Sequence, residues 1–151
     1  MKVLVACEES QAVCKAFREL GHEAYSCDVQ PCSGGHPEWH IMGDVLKVIN
    51  GKCLFGTQDD TIHEITTKWD LIIAHPPCTY MSNAGACRMF PRKGQIDEER
   101  FAKAMKAKEF FLEIGKIPFL GKASRNPMSF RYYNPEQGVM GKKLKEWLKF
   151  S

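Results

Sequence analysis

The chain has 151 residues, of which 44% are hydrophobic and 26% are charged, and its formal net charge is +3. These values are typical of one soluble globular domain. No apolar run approaches the roughly 18 residues of a membrane-spanning helix. Charged residues interrupt the apolar run at the start of the chain too early for a signal peptide. We therefore expect a cytoplasmic protein whose seven cysteines remain reduced.

The elements predicted up to residue 114 alternate between strands and helices. In chain order they are a strand at 2–6, a helix at 10–20, strands at 22–27 and 40–42, a short helix at 45–49, a loop or small hairpin within 50–68, a strand at 71–74 and a helix at 97–114. This alternation predicts an α/β fold with a parallel sheet, flanking helices and right-handed crossovers.

Hydrophobic spacing predicts which face of each longer helix is buried. The residues expected on these faces are Val13, Phe17 and Leu20 in the first helix and Phe101, Met105 and Leu112 in the second. Beyond residue 114 glycine and proline residues interrupt the alternation of predicted strands and helices. A short amphipathic helix is expected at 144–150.

Charge and cysteine are unevenly distributed along the chain. Residues 1–114 carry a net charge of −3 and residues 115–151 a net charge of +6, and all cysteines lie at or before Cys87. Such a change within a short chain predicts two segments of different origin or role, the second an irregular basic tail.

Polar residues follow the predicted parallel strands where each strand ends. They are Cys7, Glu8 and Ser10 after the first strand, Asp28 after the second, Asp44 after the third and Cys78 after the fourth. Ligands of parallel sheets bind beyond the carboxyl ends of the strands, so this pattern predicts a ligand cleft. The alternative for Asp28 and Asp44 is a role as helix caps or turn formers.

The segment from Asp70 to Gly85 combines a buried strand with a reactive side chain. Pro76 and Pro77 end the strand and stiffen its exit, because proline fixes φ and lacks a backbone donor. They present Cys78 at the end of the strand. A thiol held in this way can serve as a nucleophile.

Residues 1 to about 113 resemble the amino-terminal half of a phage-type DNA cytosine-5 methyltransferase. The resemblance is carried by Pro76-Pro77-Cys78 and the following Ser82-Asn83-Ala84-Gly85. It implies a partial Rossmann-like sheet, S-adenosylmethionine as cofactor and DNA as partner. In this interpretation Cys78 is catalytic and attacks a cytosine that is flipped out of the duplex.

The same resemblance implies a set of binding residues. The cofactor would contact Cys7, Glu8, Ser10, Asp28, Asp44 and Pro76, and DNA would contact Ser82, Asn83, Arg88 and Arg92. Two departures from the family pattern reduce the expected activity. Residues 7–11 stand where the family has a glycine-rich turn, and the family's Glu-Asn dipeptide is absent from this chain. Since a positioned acid or base contributes about 10²- to 10⁴-fold, we expect little or no turnover.

Residues from about 110 to 151 resemble the extreme amino-terminal region of a xylose isomerase. The resemblance is carried by the segments 113–121, 124–135 and 140–151. It implies that the catalytic histidine and metal-binding carboxylates of that family lie further along the sequence than this segment. The chain is then a composite, with a methyltransferase-like domain at 1–113 and an isomerase-like tail at 114–151.

Two further functions are open at this point. Half a parallel sheet leaves an apolar edge, which favours a non-catalytic interaction protein that associates with itself. Cys27, Cys32, His36 and His40 have a spacing that could ligate zinc.

Overall fold

Seven strands and two helices are seen in the computed structural model, which describes residues 1–80, 88–89 and 95–116 and the backbone of residues 130–133. The strands are β1 (Lys2–Ala6), β2 (Glu23–Asp28), β3 (His40–Met42), β4 (Cys53–Gly56), β5 (Ile62–Ile65), β6 (Leu71–Ala74) and β7 (Phe130–Tyr133), and the helices are α1 (Ala12–Glu19) and α2 (Glu98–Gly115). Neither helix is long and apolar enough to cross a membrane.

The main sheet has the strand order β3–β2–β1–β6–β7. Its first four strands are parallel, and β7 is antiparallel to β6. β4 and β5 form a separate antiparallel pair. The predicted α/β fold with a parallel sheet is therefore confirmed, and the segment 50–68 contains the hairpin. The short helix predicted at 45–49 is a 3₁₀ turn at Val45–Lys47.

β1 lies at the centre of the sheet and is the most completely buried strand. Its residues Val3 to Ala6 are fully buried, as expected for a continuous apolar run that is covered on both faces. Ala6 lies opposite Cys27 of β2 and opposite Ala74 of β6. This register makes the three strands end at the same level.

Helix α1 covers one face of the sheet, where Cys14 packs against Val3, Val5 and Ala24. Val13 and Phe17 are partly buried against the same cluster, as predicted. The prediction for Leu20 is wrong, since this side chain is 73% exposed. Leu20 follows the last helical residue as the C-cap, so it lies outside the buried stripe.

Helix α2 and the hairpin cover the other face, where Phe111 and Ile114 join Trp69 and Leu4. Among the residues predicted to be buried, Phe101 and Met105 are 45% and 41% exposed. The helix instead buries three residues along a neighbouring stripe, which are Ala104, Phe111 and Ile114. Since one residue turns a helix by about 100°, a prediction that is displaced by one position selects the wrong face.

A network of hydrogen bonds among buried polar groups connects the loop between β2 and β3 to the sheet. The Gln11 side chain donates to the backbone oxygen of His36 at 2.8 Å and accepts from the His36 N–H at 3.0 Å. It also donates to Ser26 Oγ at 3.2 Å. His40 Nε2 lies 2.9 Å from the carbonyl oxygen of Gln30, and Nδ1 lies 2.9 Å from Ser26 Oγ. Since a carbonyl only accepts, the proton is on Nε2.

Gly34 packs closely against Ser10 and Gln11, which directly precede α1, and we expect Gly34→Ala to destabilise the fold. An added Cβ would lie 2.5 Å from Gln11 Cβ and 2.5 Å from the Ser10 carbonyl oxygen. Relief of such a clash typically costs about 1–3 kcal/mol of unfolding free energy, which urea denaturation measures. Gly43→Ala is the control, because no atom lies within 4 Å of its added Cβ. Equal stability of the two variants would contradict the prediction.

Candidate functional site

A cleft of about 90 Å³ lies at the carboxyl ends of the parallel strands. Its wall is formed by Cys7, Cys27, Asp28, Val29, Gly43, Asp44, Val45, Pro77 and Phe110. The shared register of the strands brings residues from four separate chain segments to this edge. The sequence predicted a cleft at this position, and its residues Cys7, Asp28 and Asp44 do come together.

Asp28 and Asp44 each form a local turn and also line the cleft. Asp28 Oδ1 accepts a hydrogen bond from the Gln30 N–H at 3.0 Å. Asp44 Oδ1 accepts from the Leu46 N–H at 3.0 Å and caps the 3₁₀ turn. These bonds match the predicted alternative of caps and turn formers. They use one oxygen of each carboxylate, so a structural role does not prevent contact with a ligand.

Two thiols form the floor of the cleft beside these carboxylates. Burial, followed by the negative charges of Asp28 and Asp44, raises the pKa of Cys7 to about 12. Burial and the neighbouring Cys7 and Asp28 raise the pKa of Cys27 to about 12. Cys27 Sγ also donates to the Gly43 carbonyl oxygen at 3.7 Å. Both groups are therefore neutral thiols at physiological pH rather than nucleophilic thiolates.

Glu8 has a structural function at the start of α1. Its buried carboxylate accepts hydrogen bonds from the N–H groups of Val13 at 2.6 Å and Cys14 at 3.1 Å. The negative charge also complements the positive end of the helix dipole. Glu8 therefore occupies the helix N-terminus itself. It does not line the cleft, and neither do Ser10 and Pro76.

The loop after β6 presents Cys78 to solvent. Pro76 is buried, whereas Pro77 and Cys78 are exposed. The guanidinium of Arg100 lies 5.2 Å from the ring centre of Tyr80, which connects this loop to the start of α2. The nucleophilic role of Cys78 stays a prediction.

The residues predicted to contact DNA are only partly within the described structure. Arg88 is exposed, and Ser82, Asn83 and Arg92 lie outside the described residues, as does the helix predicted at 144–150. The contact of these residues with DNA stays a prediction.

The four residues with zinc-like spacing do not form a metal site. Cys27 faces the cleft, whereas His40 is held in the buried network by Ser26 and Gln30. No group of three His, Cys, Asp or Glu side chains suited to a metal ion occurs among the described residues. The six described cysteines, Cys7, Cys14, Cys27, Cys32, Cys53 and Cys78, are free thiols.

Several wall residues were not predicted from the sequence. Cys27 and Gly43 become wall residues through strand register, which the sequence pattern does not specify. Phe110 reaches the cleft from α2, where its position depends on how the helix packs. Pro77 could have been predicted as a wall residue, because its Pro-Pro-Cys motif comes shortly after the end of β6.

Part of the chain is similar to xylose isomerases. The xylose isomerase of Phocaeicola vulgatus is 60% identical over 47 residues, which cover 31% of this chain and 11% of the relative. The enzyme of Bacteroides thetaiotaomicron is 57% identical over 47 residues, with the same shares. That of Arabidopsis thaliana is 49% identical over 43 residues, or 28% of this chain and 9% of the relative. The chain thus spans about a tenth of the length of these curated relatives.

The remaining comparisons give no match: no family model and no solved structure matches the chain. The isomerase resemblance is supported, whereas nothing supports the resemblance to a DNA cytosine-5 methyltransferase. The predicted methyl transfer to DNA and the predicted cofactor S-adenosylmethionine are contradicted by relatives that are xylose isomerases. A short Pro-Pro-Cys motif after a strand was insufficient evidence for that function.

We expect Cys78 to react with iodoacetamide much faster than Cys14 or Cys27 in the folded chain. Cys78 is exposed, whereas burial raises the pKa of both Cys14 and Cys27 to about 12. At about pH 8 a thiol with that pKa is ionised in roughly one molecule in 10⁴. Peptide mapping over time gives the rates, and the same reaction in denaturant is the control. Equal rates for Cys27 and Cys78 without denaturant would contradict the prediction.

The raised pKa of Cys27 predicts a loss of stability at alkaline pH. The folded chain keeps this proton up to about pH 12, whereas the thiol has an ordinary pKa of 9.0. The contribution is complete below pH 9 and is lost between these values, at about 1.4 kcal/mol per pH unit. The stability difference between wild type and Cys27→Ala should therefore shrink as pH rises from 9. Val45→Ala, which truncates another buried wall residue, should show a constant difference in urea denaturation.

Proposed function

We propose that this chain binds a neutral, hydroxyl-rich ligand of the sugar class in the cleft formed by Cys7, Asp28, Asp44 and Phe110. One observation carries the proposal: two carboxylates line the cleft, and no Lys, Arg or His is among its described wall residues. Carboxylates accept strong hydrogen bonds from hydroxyl donors. The same charges repel phosphate and other anions, so an uncharged polyol is favoured.

The exposed wall of the cleft is mainly apolar, which suits the C–H faces of a sugar ring. Val29, Val45 and Phe110 supply an apolar wall beside the two carboxylates. A sugar ring presents C–H groups on its faces and hydroxyls at its edge, and it therefore matches a wall of this composition. The cleft, at about 90 Å³, is smaller than typical ligand pockets of about 300–1,000 Å³. It fits one edge of a monosaccharide, and the rest of the ring would extend through the open side.

The position of the cleft adds a fold-level argument. The parallel order β3–β2–β1–β6 supports our inference of half a Rossmann-like sheet, in which a ligand would lie beyond the carboxyl ends of the strands. This similarity supports a ligand site at this edge of the sheet, but it does not identify the chemical class of the ligand. The curated relatives, whose names refer to xylose, provide the aldopentose for the first experiment.

We expect xylose to bind with a dissociation constant in about the millimolar range. Two charge-assisted hydrogen bonds contribute about 1.5–3 kcal/mol each, and contact with the apolar wall offsets the loss of ligand freedom, which leaves about the 4 kcal/mol of millimolar binding. A titration followed by NMR should shift the backbone amide signals of Asp28 and Asp44. Inorganic phosphate should leave both signals unchanged. Absence of shifts with xylose well above the millimolar range would overturn the proposal.

The double variant Asp28→Asn/Asp44→Asn should weaken xylose binding by about tenfold, because neutral hydrogen bonds are weaker than charge-assisted ones. Asparagine retains the oxygen that accepts from Gln30 or Leu46, and it is a favoured residue in caps and turns. The matched control is Asp60→Asn, since Asp60 lies in the β4–β5 turn and does not line the cleft. This control should bind xylose like the wild type.

A second candidate is the reaction in the name of the relatives, isomerisation of xylose to its ketose. It rests on the 55–60% identity to bacterial relatives over 47 residues. Formation of the ketose above a protein-free control would favour this candidate. A titration response of Asp28 and Asp44 without product would favour binding as the function.

A further inference from the structure

The outer edge of β6 carries a strand that comes from the basic part of the chain. Phe130–Tyr133 pairs antiparallel with Leu71–Ala74, with Ile72 opposite Tyr132 and Ile73 opposite Arg131. Unpaired backbone groups of an edge strand readily accept another extended chain. Here they accept a segment that lies more than fifty residues further along the sequence.

We propose that this edge of β6 is a strand-binding site, and that Phe130–Tyr133 occupies it exchangeably with the same segment of a second copy of the chain. The inference concerns a different edge from the sugar cleft, and it is independent of that proposed function. Binding of this kind uses main-chain hydrogen bonds to an exposed sheet edge.

The sequence of the occupant favours an extended strand. Phe-Arg-Tyr-Tyr is rich in aromatic residues, which are common in strands, and Asn-Pro pairs lie on both sides, at Asn126-Pro127 and Asn134-Pro135. Proline disfavours continuation of a strand in a sheet. The segment is therefore a short, bounded strand, separated from α2 by residues 116–129.

Charge and length explain why the pairing can form and can also exchange. Residues 1–114 have a net charge of −3 and residues 115–151 one of +6, so the tail is attracted to the domain that supplies β6. Four paired residues form only about four inter-strand hydrogen bonds. The identical segment of a second copy can make the same bonds, which is the basis of strand exchange.

The test uses the full chain with Arg131→Pro/Tyr132→Pro and a fluorescent peptide of residues 124–135. Paired residues of antiparallel strands alternate between bonded and non-bonded positions, so one of two adjacent prolines removes an inter-strand donor. The vacated edge should bind the peptide at least tenfold more tightly than the wild type does. Successive residues of a strand direct their N–H groups to opposite sides, so one of the adjacent Ile72 and Ile73 amides faces β7 and the other faces β1. The amide that faces β7 should also lose protection from hydrogen exchange.

The matched control is Arg131→Thr/Tyr132→Val, which removes the same charge and the same tyrosine but keeps both N–H groups. It should behave like the wild type. Equal peptide affinity for the proline variant and the control, or unchanged exchange at both Ile72 and Ile73, would overturn the proposal. If the proline variant does not fold, excess unlabelled peptide is added to the wild type. Faster exchange of the chain's own residues 130–133 then supports the proposal, and unchanged exchange overturns it.

Discussion

The complete burial of β1 between β2 and β6 is the constraint on which the rest of the structure depends. Its apolar side chains point to both faces of the sheet, so each face needs its own cover, supplied by α1 on one side and by α2 with the hairpin on the other. The register of Ala6 with Cys27 and Ala74 then fixes where the three strands end. The cleft exists because this register places Cys7, Asp28 and Pro77 at one edge.

The carboxylates at that edge combine a turn-forming role with a place in the cleft wall, which the sequence presented as alternatives. Asp28 and Asp44 each use one oxygen to order a turn, and this bond fixes the direction of the whole carboxylate. A fixed acceptor loses less entropy on binding than a free one. The same two charges help to keep the Cys7 and Cys27 thiols protonated. The cleft is therefore negatively charged only at its carboxylates, which is the pattern that favours hydroxyl donors.

The sequence predicted features that depend on local pattern and missed those that depend on distant partners. The strands at 2–6 and 71–74 were found because short apolar runs identify buried strands. The faces of α2 were missed because the burial of Phe111 depends on its contact with the hairpin side of the sheet. β7 was missed because its partner β6 is far away in the sequence. Glu8 was assigned to a cofactor through the methyltransferase resemblance, and its hydrogen bonds from the helix N–H groups were not predicted. The functional interpretation of the Pro-Pro-Cys motif was wrong for a similar reason, because it rested on a short local pattern.

The tail and the domain are connected more closely in space than their sequences indicate. The predicted boundary between residues 113 and 114 falls inside α2, which continues to Gly115 and buries Ile114 in the core. Further along, Phe130–Tyr133 adds a strand to the sheet that β1 organises. The described segment with isomerase-like sequence thus supplies part of the core and one edge of the sheet. Its sequence is similar to that of xylose isomerases, while its backbone here contributes to an α/β fold. Backbone pairing needs no particular side chains. One short segment can therefore pair with the sheet edge of this chain and also have a sequence similar to that of its relatives.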